Sequence, residues 1–131
     1  MNFYSDPTMN AAFRNIDRQR RVFKGDIYFI KKGSSHGSEQ EAGRPAIIVS
    51  NNDCNKHADC VEIVYLTTAK KAKLPTHVEI VARQPSTALC EQIYTVSKDR
   101  LEKYVRTLSL AEQRKIDRAM IISLGIEVEN L

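Results

Sequence analysis

Three groups of residues in this sequence have the types and spacing that chemistry requires. The first surrounds Arg44, which stands between Gly43 and Pro45. It follows a polar, glycine-flanked segment, GSEQEAG, that carries Glu39, Gln40 and Glu41, with His36 just ahead of it. Arginine is always charged and offers a planar fork of donors. That suits a phosphate oxygen, or the extra charge on a phosphorane-like transition state. The same side chain can equally pair with Glu39 or Glu41 across the loop, as surface arginines commonly do. The second group is Thr67 and Thr68, at the end of the apolar run CVEIVYLTT. Their hydroxyls can hold a phosphate or a ribose hydroxyl, or the residues can serve only as β-formers. The third is Glu91 and Gln92, which can read a base edge or satisfy backbone groups within a sheet. His77 titrates near neutrality, although a lone histidine in a strand is usually structural.

Other chemistries find little support. There is no phosphate-binding glycine loop, nucleophile elbow or dinucleotide fingerprint. Three cysteines, Cys54, Cys60 and Cys90, are too few and too irregular for a disulfide framework. Cys54, His57 and Cys60 have the spacing of a half zinc site, but a fourth ligand would have to come from far away. The sequence is therefore read as using neither metal nor cofactor.

The elements that must position these groups are mostly strands. GDIYFIKK (25–32) is dense in β-branched and aromatic residues. Residues 33–44 form a Gly- and Ser-rich flap. PAIIVS (45–50) is a continuous apolar run that suits a strand buried on both faces. NND (51–53) signals a turn, and CVEIVYLTT is the next strand. AKKAKLP (69–75) is a loop carrying Lys70, Lys71 and Lys73. THVEIVA (76–82) alternates, with Val78 and Ile80 on one side. RQPS turns the chain, and TALCEQIYTV (87–96) is a further strand or pair of strands. SKDRLEKYV reads as a helix of one or two turns capped by Ser97, and VRTLS as a return to the sheet. Ser109 and Glu112 form a capping box. It opens a helix with Ile116, Met120 and Leu124 on its packing face and Gly125 at its stop. The fold class is mainly β with α (α+β): a small, partly open antiparallel β-barrel with a C-terminal helix.

A length of 131 residues suits one domain, and 42% apolar with 27% charged residues allows both a core and solubility. No apolar run reaches the roughly 20 residues that cross a bilayer. No segment resembles a signal peptide, so the expected location is the cytoplasm. Residues 1–24 hold Arg14, Arg18, Arg20, Arg21 and Lys24 against Asp6 and Asp17, and so carry most of the net charge of +4. The chain divides into a basic N-terminal extension (1–23) and one body (24–131). The extension can follow phosphates by Coulomb attraction or can simply solubilise the chain.

In order, the segments KGDIYFI, GSEQ-x-x-GRPAIIVSNN, YLTT, AKLPTHVEI, CEQIYTVSKDRL and ISLGI resemble the MazF/PemK family of toxins, the toxin halves of type II toxin–antitoxin pairs. The resemblance spans about residues 24–126. It implies the small barrel shared with CcdB-like toxins, a homodimer, and a metal-independent endoribonuclease that cuts single-stranded RNA, chiefly mRNA, at selected sequences. It implies catalytic roles for Arg44, in the family's G-x-R-P motif, and for Thr67. RNA contacts are implied for Glu39, Gln40, Glu91 and Gln92, and His36, Thr68, Lys70, Lys71 and Lys73 join them on the flap and basic loop. A cognate antitoxin with an acidic tail is the implied protein partner. The competing classes are a CcdB-like topoisomerase poison, which would leave Arg44 and Thr67 idle, and a catalytically inactive RNA-binding relative.

Overall fold

The computed structural model describes residues 21–32 and 43–129. Six strands form one sheet: β1 (Asp26–Ile30), β2 (Arg44–Ile48), β3 (Cys60–Thr67), β4 (His77–Val81), β5 (Pro85–Ser97) and β6 (Leu101–Thr107). Their order across the sheet is β4-β5-β3-β2-β1-β6, and every neighbouring pair is antiparallel. Helix α1 (Asn52–His57) lies between β2 and β3, and α2 (Leu110–Leu124) follows β6. No helix among the described residues is long and apolar enough to cross a membrane.

Both faces of the sheet bury apolar side chains. On one face Ile27, Ile47, Val64, Leu66, Ile80 and Ala88 pack with Ile116 and Ala119 of α2. On the other, Tyr28, Ile30, Ala46, Ile48, Val61 and Ile63 form a second cluster. The continuous apolar run of β2 is explained by this double burial, since alternate residues serve opposite faces. Ile47 is 1% exposed and Ile48 0%.

The two edge strands meet through a side chain. Arg106 of β6 donates from Nε to the Val81 carbonyl of β4 at 2.8 Å. Its other nitrogens form a fork with Glu112 of α2, Nη1 to Oε1 at 3.0 Å and Nη2 to Oε2 at 2.8 Å. Glu112 is also the third residue of α2 and closes the capping box: its carboxylate accepts from the Ser109 N–H at 2.8 Å, and the Ser109 hydroxyl accepts from the Glu112 N–H at 3.1 Å. One carboxylate thus caps a helix and holds the arginine that curls the sheet. The sheet is a half-barrel, as the sequence leads one to expect.

Several local expectations are corrected. The NND segment is not a simple turn: Asn51 caps α1 by accepting from the Cys54 N–H, and buried Asn55 donates to the Ser50 carbonyl. Residues 97–105 do not form a helix of one or two turns. Ser97 caps only the 3-10 turn Lys98–Arg100, and Leu101 onward joins the sheet against β1. Cross-strand pairing outweighs a weak local helix preference there. Of the two alternatives for TALCEQIYTV, one strand or a pair, the structure has the first: it is part of one 13-residue strand, with a register shift opposite Val64–Leu66. On α2, Ile116, Ala119 and Met120 face the core, whereas Leu124 is 57% exposed. Gly125 ends the helix at φ 67°, a left-handed conformation that glycine adopts without a Cβ penalty.

The hydrogen bond from Arg106, opposed by partial burial, and the bond from the Ser109 N–H hold the Glu112 carboxyl at about 2, below the ordinary 4.5. A depressed carboxylate stabilises the fold above its ordinary value and loses that contribution as pH falls through the folded value. Glu112→Ala and Arg106→Ala should each cost roughly 2 kcal/mol, from lost charged hydrogen bonds and, for Glu112, half a cap. The double variant should cost clearly less than the sum of the two, because both remove the same contact. Urea unfolding measures this. The Glu112→Ala penalty should persist at pH 6 and shrink as acid approaches pH 2.

Candidate active site

Arg44 opens β2, and local backbone crowding decides how it gets there. A Cβ at position 43 would run into the Ile30 carbonyl oxygen of β1, so only glycine lets β2 start against that strand. β2 pairs with β3 in the register Ala46↔Tyr65. Continued by two residues, that register sets Arg44 across from Thr67. Both line one cavity of about 430 Å³, together with Thr68, Phe29, Gln84 and Ser86. The Arg44 guanidinium lies 4.3 Å from the Tyr65 ring centroid, a cation–π contact that restricts it. The Tyr65 ring meets Tyr94 edge-on at 5.3 Å, and the Tyr94 hydroxyl donates to Gln92 at 3.3 Å. Gln92 is thus coupled to Arg44 through two aromatic rings.

The Thr67 hydroxyl accepts from the Ala69 N–H at 3.1 Å. That fixes its oxygen and leaves its proton free to donate. Cys90 carries no nucleophile for this site: it is fully buried, and burial pushes its thiol up to about 12.

Sequence reasoning missed Arg83. It lines the same cavity and stacks on Phe29 at 5.0 Å from the ring centroid. It lies in the RQPS turn, and only the curling of β4 toward β6 brings that turn to the mouth of β2. Nothing local in the sequence signals that proximity.

Not all the expected site residues gather here. Glu91 points elsewhere: it accepts from the Thr76 hydroxyl at 2.9 Å and bonds His77 Nε2 at 3.0 Å, while His77 Nδ1 bonds the Ala72 carbonyl at 2.7 Å. Lys71 and Lys73 line a second cleft, between the 69–75 loop, β4 and α2, and Lys70 is exposed. His36, Glu39 and Gln40 lie outside the described residues. Among the described residues no group of three or more His, Cys, Asp or Glu could hold a metal ion, and the Cys54–His57–Cys60 segment forms none.

His77 is a clamp more than an isolated histidine. A carbonyl oxygen and a carboxylate can only accept, so its two ring nitrogens are both best satisfied as donors, which is the imidazolium form. The bond to Glu91 and then that to Ala72 raise its pKa above the ordinary 6.5, against partial desolvation and Lys71. Burial pushes the Glu91 carboxyl up, but the bonds from His77, from its own backbone and from Thr76 together bring it below 4.5.

The family model described as "PemK-like, MazF-like toxin of type II toxin-antitoxin system" matches residues 23–124. The chain belongs to that family. It is 38% identical over 111 residues to the endoribonuclease MazF of Staphylococcus epidermidis, covering 80% of this chain and 92% of the relative. A solved endoribonuclease from Mycobacterial species superposes with TM-score 0.69 at 27% identity, covering 82% of this chain and 95% of that one. An endoribonuclease from Mycobacterial species in complex with its cognate antitoxin gives TM-score 0.70 at 28% identity, covering 82% and 98%.

The clamp makes a direct prediction. Its charged contact is complete below the ordinary histidine value of 6.5 and is lost as pH rises through the raised folded value. A proton-NMR titration should find His77 titrating above 6.5, with amide-exchange protection of the 69–75 loop falling over the same range. In Glu91→Gln the titration should drop back toward 6.5; a wild-type His77 already titrating at or below that value would refute the clamp.

Proposed function

We propose that this protein is the toxin of a type II toxin–antitoxin pair, an endoribonuclease acting in the cytoplasm on single-stranded RNA, chiefly mRNA. Residues 24–131 would be the toxin domain and 1–23 its basic extension. One observation carries the reading: Arg44 and Thr67 face one cavity from adjacent strands, in a chain of the MazF-like family. The alternative of a topoisomerase poison gives these residues no task.

The reaction needs neither metal nor cofactor. The 2′-OH of the substrate attacks the adjacent phosphorus, forming the O2′–P bond and breaking the P–O5′ bond. The products carry a 2′,3′-cyclic phosphate and a 5′-OH. One proton leaves the 2′-OH, to water or to a flap side chain such as His36 or Glu39, and one reaches the departing O5′. Negative charge accumulates on the phosphoryl oxygens in the transition state. Arg44, already stacked on Tyr65, meets that charge without reorganising. Its high pKa makes it a stabiliser first and a proton donor second. Thr67, whose oxygen is engaged by Ala69, donates to a phosphate oxygen or positions the 2′-OH. Thr68, Glu39, Gln40, Gln92 and the lysines 70, 71 and 73 serve in RNA binding. Glu91 supports that surface through His77 and not by reading a base.

Arg44→Ala should fold normally and slow cleavage on the order of 10²–10³-fold, as loss of one preorganised donor does. Arg44→Lys should recover little, because a point charge does not reproduce the fork. Thr67→Ala should slow the reaction more than Thr68→Ala. RNA with a single 2′-deoxyribose 5′ to the cut should bind and resist cleavage. Efficient cutting of that RNA, or an Arg44→Ala enzyme of full rate, would defeat the mechanism.

Cleavage should survive excess chelator, and light scattering at micromolar concentration should give twice 14.9 kDa. The two-fold dimer and inhibition by a cognate antitoxin whose C-terminal segment is acidic and disordered when free complete the reading; the Mycobacterial relative solved with its cognate antitoxin supports an antitoxin partner. Activity lost in EDTA and restored by zinc or magnesium, or a monomer that still cleaves, would correct these points.

A further inference from the structure

The second cleft has no role in the chemistry at Arg44, yet it is the more strongly charged of the two. It has a volume of about 610 Å³ and is walled by the 69–75 loop, β4 and α2. Lys71 and Lys73 enter it from the loop, Lys115 and Arg118 from α2, and Glu79 is the one acid in its lining. Lys115 and Arg118 are three residues apart and so project from one face of the helix. None of these four cations has a hydrogen-bond or ion-pair partner among the described residues. Four unneutralised charges around one concave surface concentrate field there and select an extended polyanion.

The cleft also adjoins the Arg44 cavity. Thr87, in its wall, is the cross-strand partner of Thr67. The loop that carries Lys71 and Lys73 begins just after Thr68, and the His77 clamp fixes it to β5 through Ala72 and Glu91. The lining holds aliphatic side chains but no Phe, Tyr or Trp, and its one ring, His77, is held between Ala72 and Glu91.

We infer that this cleft binds backbone phosphates of the single-stranded RNA flanking the cut, with Lys115 and Arg118 of α2 as contacts that no motif marks. This rests on the proposed ribonuclease reading. The contact is electrostatic and blind to sequence, so it supplies affinity and leaves the choice of cutting site to the flap and the Arg44 cavity.

The test is binding, separate from cleavage. RNA made uncleavable by a 2′-deoxyribose at the cut is titrated by fluorescence anisotropy at several salt concentrations. Lys115→Gln/Arg118→Gln should weaken binding on the order of tenfold at low salt and flatten the slope of log K against log salt by about 1.4, two single-strand phosphate contacts' worth. The loss should be alike for RNAs of different sequence. Lys98→Gln/Lys103→Gln, with the same change in net charge outside the cleft, should keep the wild-type slope. An unchanged slope in the cleft variant, a loss confined to one RNA sequence, or dissociation of a dimer into monomers would each overturn the inference. So would intact RNA binding with lost affinity for a glutamate-rich peptide, which would assign the cleft to an acidic protein segment. Failure of wild-type protein to cut unmodified RNA would instead count against the ribonuclease reading.

Discussion

A single guanidinium ties together the two edges of this curled sheet. Among the described residues Arg106 makes the side-chain hydrogen bond that links the outermost strands, through the Val81 carbonyl, and Glu112 holds it there. The cavity that holds Arg44 lies beside that closure. Ala82, Arg83 and Gln84 follow Val81 directly, Val105 precedes Arg106, and all four line the cavity that holds Arg44 and Thr67. Because Glu112 is also the N3 partner of Ser109 in the capping box of α2, one carboxylate serves both the start of the helix and the closure of the sheet. The bidentate geometry makes this arginine hard to replace with lysine, which offers a point charge and no fork. With side chains 33% and 28% exposed, the pair keeps part of its hydration and avoids the full desolvation cost of a buried ion pair.

The legible parts of the fold were those written in local pattern. β2 was readable because five residues with an apolar core leave few alternatives, and α2 because a capping box at Ser109 and a left-handed glycine at 125 bracket it. Where local preference was weak, pairing decided. Leu101–Thr107 has a burial pattern with no clean alternation and makes an irregular ladder with β1, so the Ser97 cap signal pointed to a helix where the chain forms a strand. α1 was hidden for a different reason: Asn51 is a turn residue and a cap residue at once, and only Asn55, buried behind it, distinguishes the two.

The site was legible to the same extent. Arg44 and Thr67 come together through β2–β3 register, which strand order and hydrophobic phase already imply. Arg83, Lys115 and Arg118 come together with their neighbours only through curling and helix docking, and those depend on contacts far apart in sequence. Glu91 and Gln92 show how strand parity splits a motif. Adjacent residues on a strand face opposite ways, so Gln92 joins the Tyr94–Tyr65–Arg44 chain while Glu91 joins His77. The two residues of this dipeptide thus have different partners, although they are neighbours in the chain.

That separation follows a physical logic. The charge that must meet a transition state gains most when it does not move, because reorganisation subtracts directly from stabilisation. Arg44 accordingly sits on a strand, behind a glycine that only one backbone path allows, and against an aromatic ring. Recognition of a flexible polymer has the opposite need. Its contacts must adapt to many backbone conformations, and long lysine side chains on a loop and a helix do that at small cost per contact. The His77 clamp lies between the two regimes, fixing the backbone of the loop while leaving the lysine heads free. On the proposed reading, chemistry therefore rests on the central strands β2 and β3 and affinity on the periphery, where charge can be tuned without disturbing the reacting groups.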